Sequence, residues 1–565
     1  MLALAALVVA GWVVFAAVSA LRAGTDLRAA ERAVDAARDK SSTSELANGR
    51  PIPDLREAQS RFQRAADRTS HPLLLPVHPL PVIGRQLRSV RDLSKAAATI
   101  SGAGGDALEE VSALLSTADF GPADRAPLVR KLSDLASRTD QRLEGISLGP
   151  HRGLIGPLAE AHDELADQLT ELRAGLRNGT QAATAVADLL AGPRRYLVLA
   201  ANNAEMRAGS GMLLSAGELE SEGGRLRLGE LQTVSDIPVP PGVPLPADLA
   251  DRWGWLNPNE DWTSLMLSPR FDAMAPVAAQ MWVASGHRPV DGVLVVDPVT
   301  LSAFLTATGP VTVGDREVNA DNVVEELLHS QYFRFSNDDK VARRDDLGRI
   351  ARAAFEAFDT GGWSPSRLAG SLVSAARGRH LMLWSARPAE QAGWVAAGVH
   401  GGLRPESLMV AVQNRAGTKS DQFLTVAARL DLRPDGDGKE ATLTLDLRNV
   451  IPRDQPSYIS GPHPGSGVGK DEYLGIVALS LPGLAENGRF DGVQSLAVAG
   501  PDGPTRVIGF QASLAAGEQR SVVARFRLPG SHGEVHIEPT ARIPGVKWTY
   551  GEKQWEDGRR HVVQW

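Results

Sequence analysis

Tyr196-Leu197-Val198-Leu199-Ala200-Ala201-Asn202-Asn203-Ala204-Glu205-Met206-Arg207 is the stretch on which the fold turns. Its short apolar start reads as a buried strand. The polar residues follow at the strand's carboxyl end, where open sheets place their ligand crevice. Asn202, Asn203, Glu205 and Arg207 are therefore candidate binding residues. A structural reading stands beside this one: turns at the asparagines and a Glu205–Arg207 pairing.

Downstream, Met212-Leu213-Leu214 and Arg225-Leu226-Arg227-Leu228 read as two further strands around a Gly223-Gly224 turn. A loop rich in Pro and Gly covers about 236–260, and a helix follows near 269–285. Asp291-Gly292-Val293-Leu294-Val295-Val296-Asp297 reads as another buried strand with an acid at each end. Pro298 to Thr308 reads as a helix, Val311-Thr312-Val313 as a strand, and 320–333 and 340–358 as helices. Strands alternating with helices predict an α/β domain over 191–400. From about Ser407 the pattern changes. Ala441, Leu443, Leu445 and Leu447 alternate with Thr442, Thr444 and Asp446, as do Val522, Ala524, Phe526 and Leu528 with their neighbours. Frequent Gly and Pro between such runs predict a β-sandwich over 401–565.

Upstream, 23–190 reads as a helical bundle, with apolar residues such as Leu27, Ala30, Val34 and Ala37 three and four apart. Separate helices are expected near 54–68, 84–101, 106–117, 124–145 and 153–178. The proline run from His71 to Pro81 cannot be helix. Leu2 to Leu21 carry no charge and are long enough to cross a bilayer, so 1–22 reads as a transmembrane anchor. The alternative is a cleaved signal peptide ending at Val18-Ser19-Ala20. Charge alone orients the span poorly, because Arg22 and Arg28 follow it and nothing basic precedes it.

Composition narrows the function. The 565 residues are 43% hydrophobic and 22% charged, as in globular proteins, and suggest two to four domains. With 0 Cys, disulfides, thiolate metal sites and cysteine nucleophiles are excluded. A net charge of −7 argues against a nucleic-acid partner.

Several motifs fail when tested. Gly465-Ser466-Gly467-Val468-Gly469-Lys470 lacks the Ser/Thr of a phosphate loop, because Asp471 follows, and reads as a solvated loop. His532, Glu534 and His536 share one strand face but not a zinc-protease spacing. No serine elbow or dinucleotide fingerprint occurs. Asp291 and Asp297 could each hold a metal or cap a helix. Arg334, Arg343, Arg344, Arg349 and Arg352 form a basic run, with Arg349 and Arg352 on one helical face. Paired guanidiniums suit a phosphate; salt bridging to Asp338, Asp339, Asp345 and Asp346 is the other reading.

The run 196–207, with Val290 to Pro298, Ala307 to Val311 and Asn414 to Asp421, resembles a family of membrane-anchored envelope proteins. That family is domain of unknown function number four thousand and twelve, and the resemblance covers nearly the whole chain. The order of elements is more distantly similar to the LytR-CpsA-Psr family, whose enzymes move lipid-linked glycopolymers onto the cell wall outside the membrane. By that resemblance Glu205 and Arg207 fall at its acidic–arginine turn, Leu256-Asn257 at its asparagine loop, Tyr332 and Arg334 at its Tyr-x-Arg strand, and Arg349 and Arg352 on its arginine helix.

The resemblance implies a multidomain α+β protein: anchor, helical stalk, LytR-CpsA-Psr-like domain and sandwich, held at the cell membrane with its bulk extracytoplasmic. It implies a phosphotransferase that binds or transfers an anionic polyprenyl-linked glycopolymer. Asn202, Asn203, Arg207, Asn257, Arg334, Arg349 and Arg352 would bind substrate, and Glu205, Asp236 and Asp291 would carry the chemistry. Asp236 and Asp291 would hold Mg²⁺, which neutralises charge on a leaving phosphate. The chain also departs from that family. Val234-Ser235-Asp236 stands where it has Pro-Arg-Asp, its further aspartate has no counterpart near Ser210-Gly211, and Ser336 and Ala353 replace an Arg and a Gln. Each lost arginine removes a charge-assisted bond of about 1.5–3 kcal/mol. The alternative reading is a non-catalytic envelope scaffold or protein-interaction module that kept the fold without the chemistry.

Overall fold

A computed structural model describes residues 29–565, except 31, 35, 38, 39, 41–44, 47, 71–82, 117–120, 336–338 and 463–466. The proline run and part of the glycine-rich 465–470 stretch lie outside the described residues. The chain divides into two compact units, one largely the residues up to Gly192 and the other largely those from Pro193 onward.

The first unit is helical. Its long helices are α1 (Ile52–Thr69), α2 (Ile83–Ser116), α3 (Pro122–Glu144) and α4 (Gly156–Ala191). On α1, Leu55, Ala58, Phe62, Ala65 and Ala66 recur at helical spacing and are buried. Asp54 in its first turn and Arg68 in its last complement the helix dipole. Packing runs α1 on α2 and α3 on α4, around a core that includes Phe62, Leu93, Leu108, Leu143 and Leu165. Two helices were expected over 84–117, but α2 is continuous. Gly102 and Gly105 lie in its middle because α1 comes close there. A Cβ on Gly102 would stand 2.5 Å from Gln59 Nε2, and one on Gly105 would stand 3.2 Å from the Arg56 guanidinium. Packing overrides the low helix propensity of glycine.

The fold class expected from sequence is corrected in one part. The protein is multidomain α+β, but among the described residues no helix is long and apolar enough to cross a membrane. The stretch 1–22, expected to be such a helix, lies outside the described residues.

The second unit begins with a mixed sheet. Its strands are β1 (Arg194–Met206), β2 (Gly211–Glu222), β3 (Arg225–Leu228), β4 (Gln232–Thr233), β5 (Gly292–Val296) and, later in the chain, Met382–Ser385. The order is β3-β2-β1-β5 and then Met382–Ser385, with β4 beside β2. Only β1 and β5 are parallel; β2 and Met382–Ser385 run antiparallel to their neighbours. This is a less regular sheet than alternating strands and helices suggest, because a hairpin joins β1 directly to β2. The helices α5 (Ala247–Trp253), α6 (Phe271–Ala284) and α7 (Pro298–Thr308) follow. Among the described residues Val311–Val313 pairs only with Arg316–Val318, before helix α8 (Lys340–Thr360).

Two six-stranded sheets make up residues 407–564. The strands Leu424–Asp435, Gly438–Asn449 and Gln519–Leu528 belong to one, and Ser407–Asn414, Tyr473–Pro482 and Thr505–Leu514 to the other. Leu443, Leu445, Val477, Phe510, Phe526 and Trp548 fill the core between them. The outer face of the second sheet is also covered. Ile476, Ala478, Val498 and Val507 share a core with Leu197, Trp253, Phe271 and Met281 of the mixed-sheet domain.

Candidate functional site

β1 is irregular at its carboxyl end. Asn202 pairs with Met212 and Met206 with Gly211, so Asn203, Ala204 and Glu205 have no partner on β2. Arg207 N–H donates to the Ser210 carbonyl at 2.8 Å and closes the hairpin. The Gly211 position is tight, since a Cβ there would stand 2.2 Å from the Asn202 carbonyl carbon. A bulge of this kind re-aims side chains. Here it turns them into the interior, with Glu205 and Arg207 toward Lys419 and Asn414 of the β-sandwich.

Every polar side chain of this turn is buried. Asn202 Nδ2 donates to the Tyr332 hydroxyl at 3.1 Å, and its Oδ1 accepts from Ala204 N at 2.9 Å. Asn203 Nδ2 donates to Asp297 Oδ2 at 2.9 Å and to the Ala541 carbonyl at 2.8 Å. Glu205 forms an ion pair with Lys419, which is itself buried. Burial pulls the Lys419 ammonium down, but Glu205, Tyr332 and Tyr458 outweigh it and raise its pKa. Arg207 donates to the Thr263 carbonyl at 3.0 Å and to the Asn414 carbonyl at 2.8 Å. Burial lowers its pKa, against the pull of Glu205. The Glu205–Arg207 pairing considered from sequence is replaced by Glu205–Lys419.

Asp421 anchors the other side. It is 0% exposed, with Oδ2 accepting from Met206 N and Asn414 Nδ2, both at 2.9 Å. Its Oδ1 accepts from the Tyr473 hydroxyl and Arg542 Nη1, again at 2.9 Å. Arg542 also donates to the carbonyls of Asp421 and Leu424 at 2.8 and 2.7 Å. The turn of the mixed-sheet domain and the sandwich are thus joined by charged, buried hydrogen bonds.

The other candidates lie in different places. Asp291 precedes β5 at the opposite end of the sheet, roughly 30 Å along the strand from Glu205. Its Oδ2 accepts from Arg195 N at 2.9 Å, and its Oδ1 faces Arg387 at 2.9 Å. Asp297 caps α7 through Val299 N and Thr300 N and faces His380 Nδ1 at 2.5 Å. Asp236 is exposed and accepts from Ser235 Oγ at 3.2 Å. Among the described residues no group of three or more His, Asp or Glu could hold a metal ion, so no step is routed through Mg²⁺. Asn257 is exposed in a left-handed turn.

Arg334 and Arg349 do converge. Arg334 pairs with Glu326, Arg349 with Asp346 at 2.9 Å, and Arg316 bridges both acids at 2.5 Å. Burial raises the Asp346 carboxyl, but Arg349 and Arg316 outweigh it and leave its pKa lowered. Arg352 is exposed, three residues beyond Arg349. Arg334 lies on the short helix Gln331–Arg334, not on a strand, which corrects the Tyr-x-Arg strand implied by resemblance. His536 Nε2 lies 2.8 Å from Glu534 Oε1, a pair rather than a metal cluster.

Lys419, Asp421, Tyr458 and Arg542 were not singled out from sequence as site residues. The polar run Asn414 to Asp421, after a fully buried strand, carried a signal for the first two. Arg542 stands in an irregular stretch with no such signal.

Residues 191–332 match a family described as a protein of unknown function, DUF4012. The match covers β1 to β5 and runs on to Tyr332, leaving out the strand Met382–Ser385; it is a shorter span than the whole-chain resemblance expected, and the description assigns no activity. No curated protein matches the chain significantly.

Proposed function

We propose that the protein is a non-catalytic scaffold or interaction module of the cell envelope, in which the residues 202–207 hold two domains together. The observation that carries this reading is the engagement of Asn202, Asn203, Glu205 and Arg207 with Tyr332, Asp297, Lys419 and Asn414. A site for substrate needs accessible groups with free hydrogen-bonding capacity, whereas the donors here are spent on the protein's own buried partners, and Asn203 Oδ1, which has no partner among the described residues, is fully buried. The envelope location rests on the sequence resemblance.

A second reading has one observation in its favour. Arg334 and Arg349 meet around Glu326 and Asp346, with Arg352 exposed nearby. These are the arginines the resemblance assigns to an anionic polyprenyl-linked glycopolymer, so binding or transfer of that polymer is the competing proposal. A phosphate there would have to displace carboxylates already paired with those arginines.

Mass spectrometry of lipids that co-purify with the full chain separates the two, with Arg349→Ala/Arg352→Ala as control. The scaffold reading expects no polyprenyl phosphate that the control loses. Such a lipid, present in the parent and lost from a folded control, would replace the scaffold reading with polymer carriage or transfer.

A further inference from the structure

The interior beside the Asn202–Arg207 turn carries more positive than negative charge. Arg207, Arg343, Lys419 and Arg542 are buried there, against the carboxylates of Glu205, Asp297 and Asp421, of which Asp297 faces His380. Asp421 matches Arg542, and Glu205 matches Lys419. Arg207 spends its donors on carbonyls. Arg343 has no such arrangement. It is 7% exposed, and its Nη1 has no hydrogen-bond partner among the described residues. Leaving a guanidinium both buried and unmatched is costly.

Its surroundings are aromatic and basic. The guanidinium lies over the Tyr458 ring at 4.1 Å from the centroid and over Tyr332 at 5.2 Å. These two rings stack with centroids 5.4 Å apart. Lys419 Nζ approaches the same pair, at 5.4 and 5.9 Å. The Tyr332 oxygen accepts from Asn202, which leaves its own proton to donate. Stacking on an aromatic face fixes the guanidinium plane and leaves its edge for a two-oxygen acceptor.

We propose that Arg343 Nη1, with Lys419 and the Tyr332 hydroxyl, forms a site for a small oxyanion, a carboxylate or a phosphate. The limited exposure of Arg343 admits a small ion or a thin end group and excludes a folded partner. Arg343, Lys419 and Tyr458 lie beyond the stretch matched by the family, and Tyr332 is its last residue.

Thermal unfolding of the full chain tests this, in chloride and then with sodium acetate or inorganic phosphate at matched ionic strength. The wild type should show a saturable rise of about 3 °C with at least one of the two anions. Arg343→Met, which keeps the stem's packing, should lose that rise, and Arg343→Lys should keep part of it. In chloride alone Arg343→Met should unfold at or above the wild-type temperature, because its unmatched charge is gone. A response to acetate alone identifies a carboxylate source, and one to phosphate alone a phosphate source. Equal responses in wild type and a folded Arg343→Met, or no anion response in wild type, would overturn the proposal.

Discussion

Replacing Asp421 by Asn keeps the size of the side chain and removes its charge. The Asp421 carboxylate is 0% exposed and takes hydrogen bonds from Met206 N, Asn414, Tyr473 and Arg542. The amide nitrogen of Asn can accept none of them, so one oxygen's partners are lost whichever way it turns. Arg542, 1% exposed at its side chain, would lose its opposite charge in either orientation and keep its carbonyl partners. Breaking a buried pair from one side costs about 3–5 kcal/mol. That is a large share of a typical stability of about 5–15 kcal/mol. Removing both charges, in Asp421→Asn/Arg542→Met, should restore at least about 1–2 kcal/mol of the loss. Urea unfolding followed by tryptophan fluorescence is the assay. Every tryptophan except Trp12 lies beyond residue 250, so the signal reports the second unit. A single-variant cost below about 1 kcal/mol, with additive behaviour in the double variant, would refute the claim that Asp421, held by Arg542, is the buried charged anchor of the joint.

Other expectations follow from the same structure. Burial pushes the Asp557 carboxyl up to about 6 from 3.8. A raised folded value favours folding of the protonated form, so its contribution is full below about pH 4 and lost as pH rises through about 6. At 1.36 kcal/mol per pH unit the loss is about 3 kcal/mol. Wild type should therefore lose that much relative to Asp557→Asn between pH 4 and pH 8, read from urea midpoints; a pH-independent difference would contradict it. Gly211→Ala places a methyl against the Asn202 backbone and should cost about 1–3 kcal/mol in the same unfolding assay. Arg352→Ala removes an exposed side chain and should change stability by less than about 0.5 kcal/mol.

Local patterns were legible in the sequence where one rule governed them. The run Tyr196 to Ala200 is a strand, and Ala441 to Leu447 alternate into a core. Long-range relations were not legible. Asn203 reaches Ala541, and Met206 reaches Asp421, across hundreds of positions. No periodicity encodes such a meeting. The polar turn after β1 was visible as unusual, but its two readings differ only in what lies opposite. Opposite it stand Lys419 and Asp421, supplied by the β-sandwich. Glycines misled in α2 for a related reason: propensity is local, whereas Gln59 and Arg56 come from another helix.

Turns that bind substrate are drawn from the less stable parts of a protein, whereas a structural joint opens only with the body it holds. Hydrogen exchange at the backbone amides of Ala204 and Met206, in the full chain, therefore tests the central claim most directly. These amides donate to Asn202 Oδ1 and Asp421 Oδ2. The account predicts protection equal to that of the strands Tyr473–Pro482 and Leu424–Asp435, unchanged by polyprenyl phosphate. Fast local exchange at Ala204 and Met206, slowed when polyprenyl phosphate is added, would contradict it.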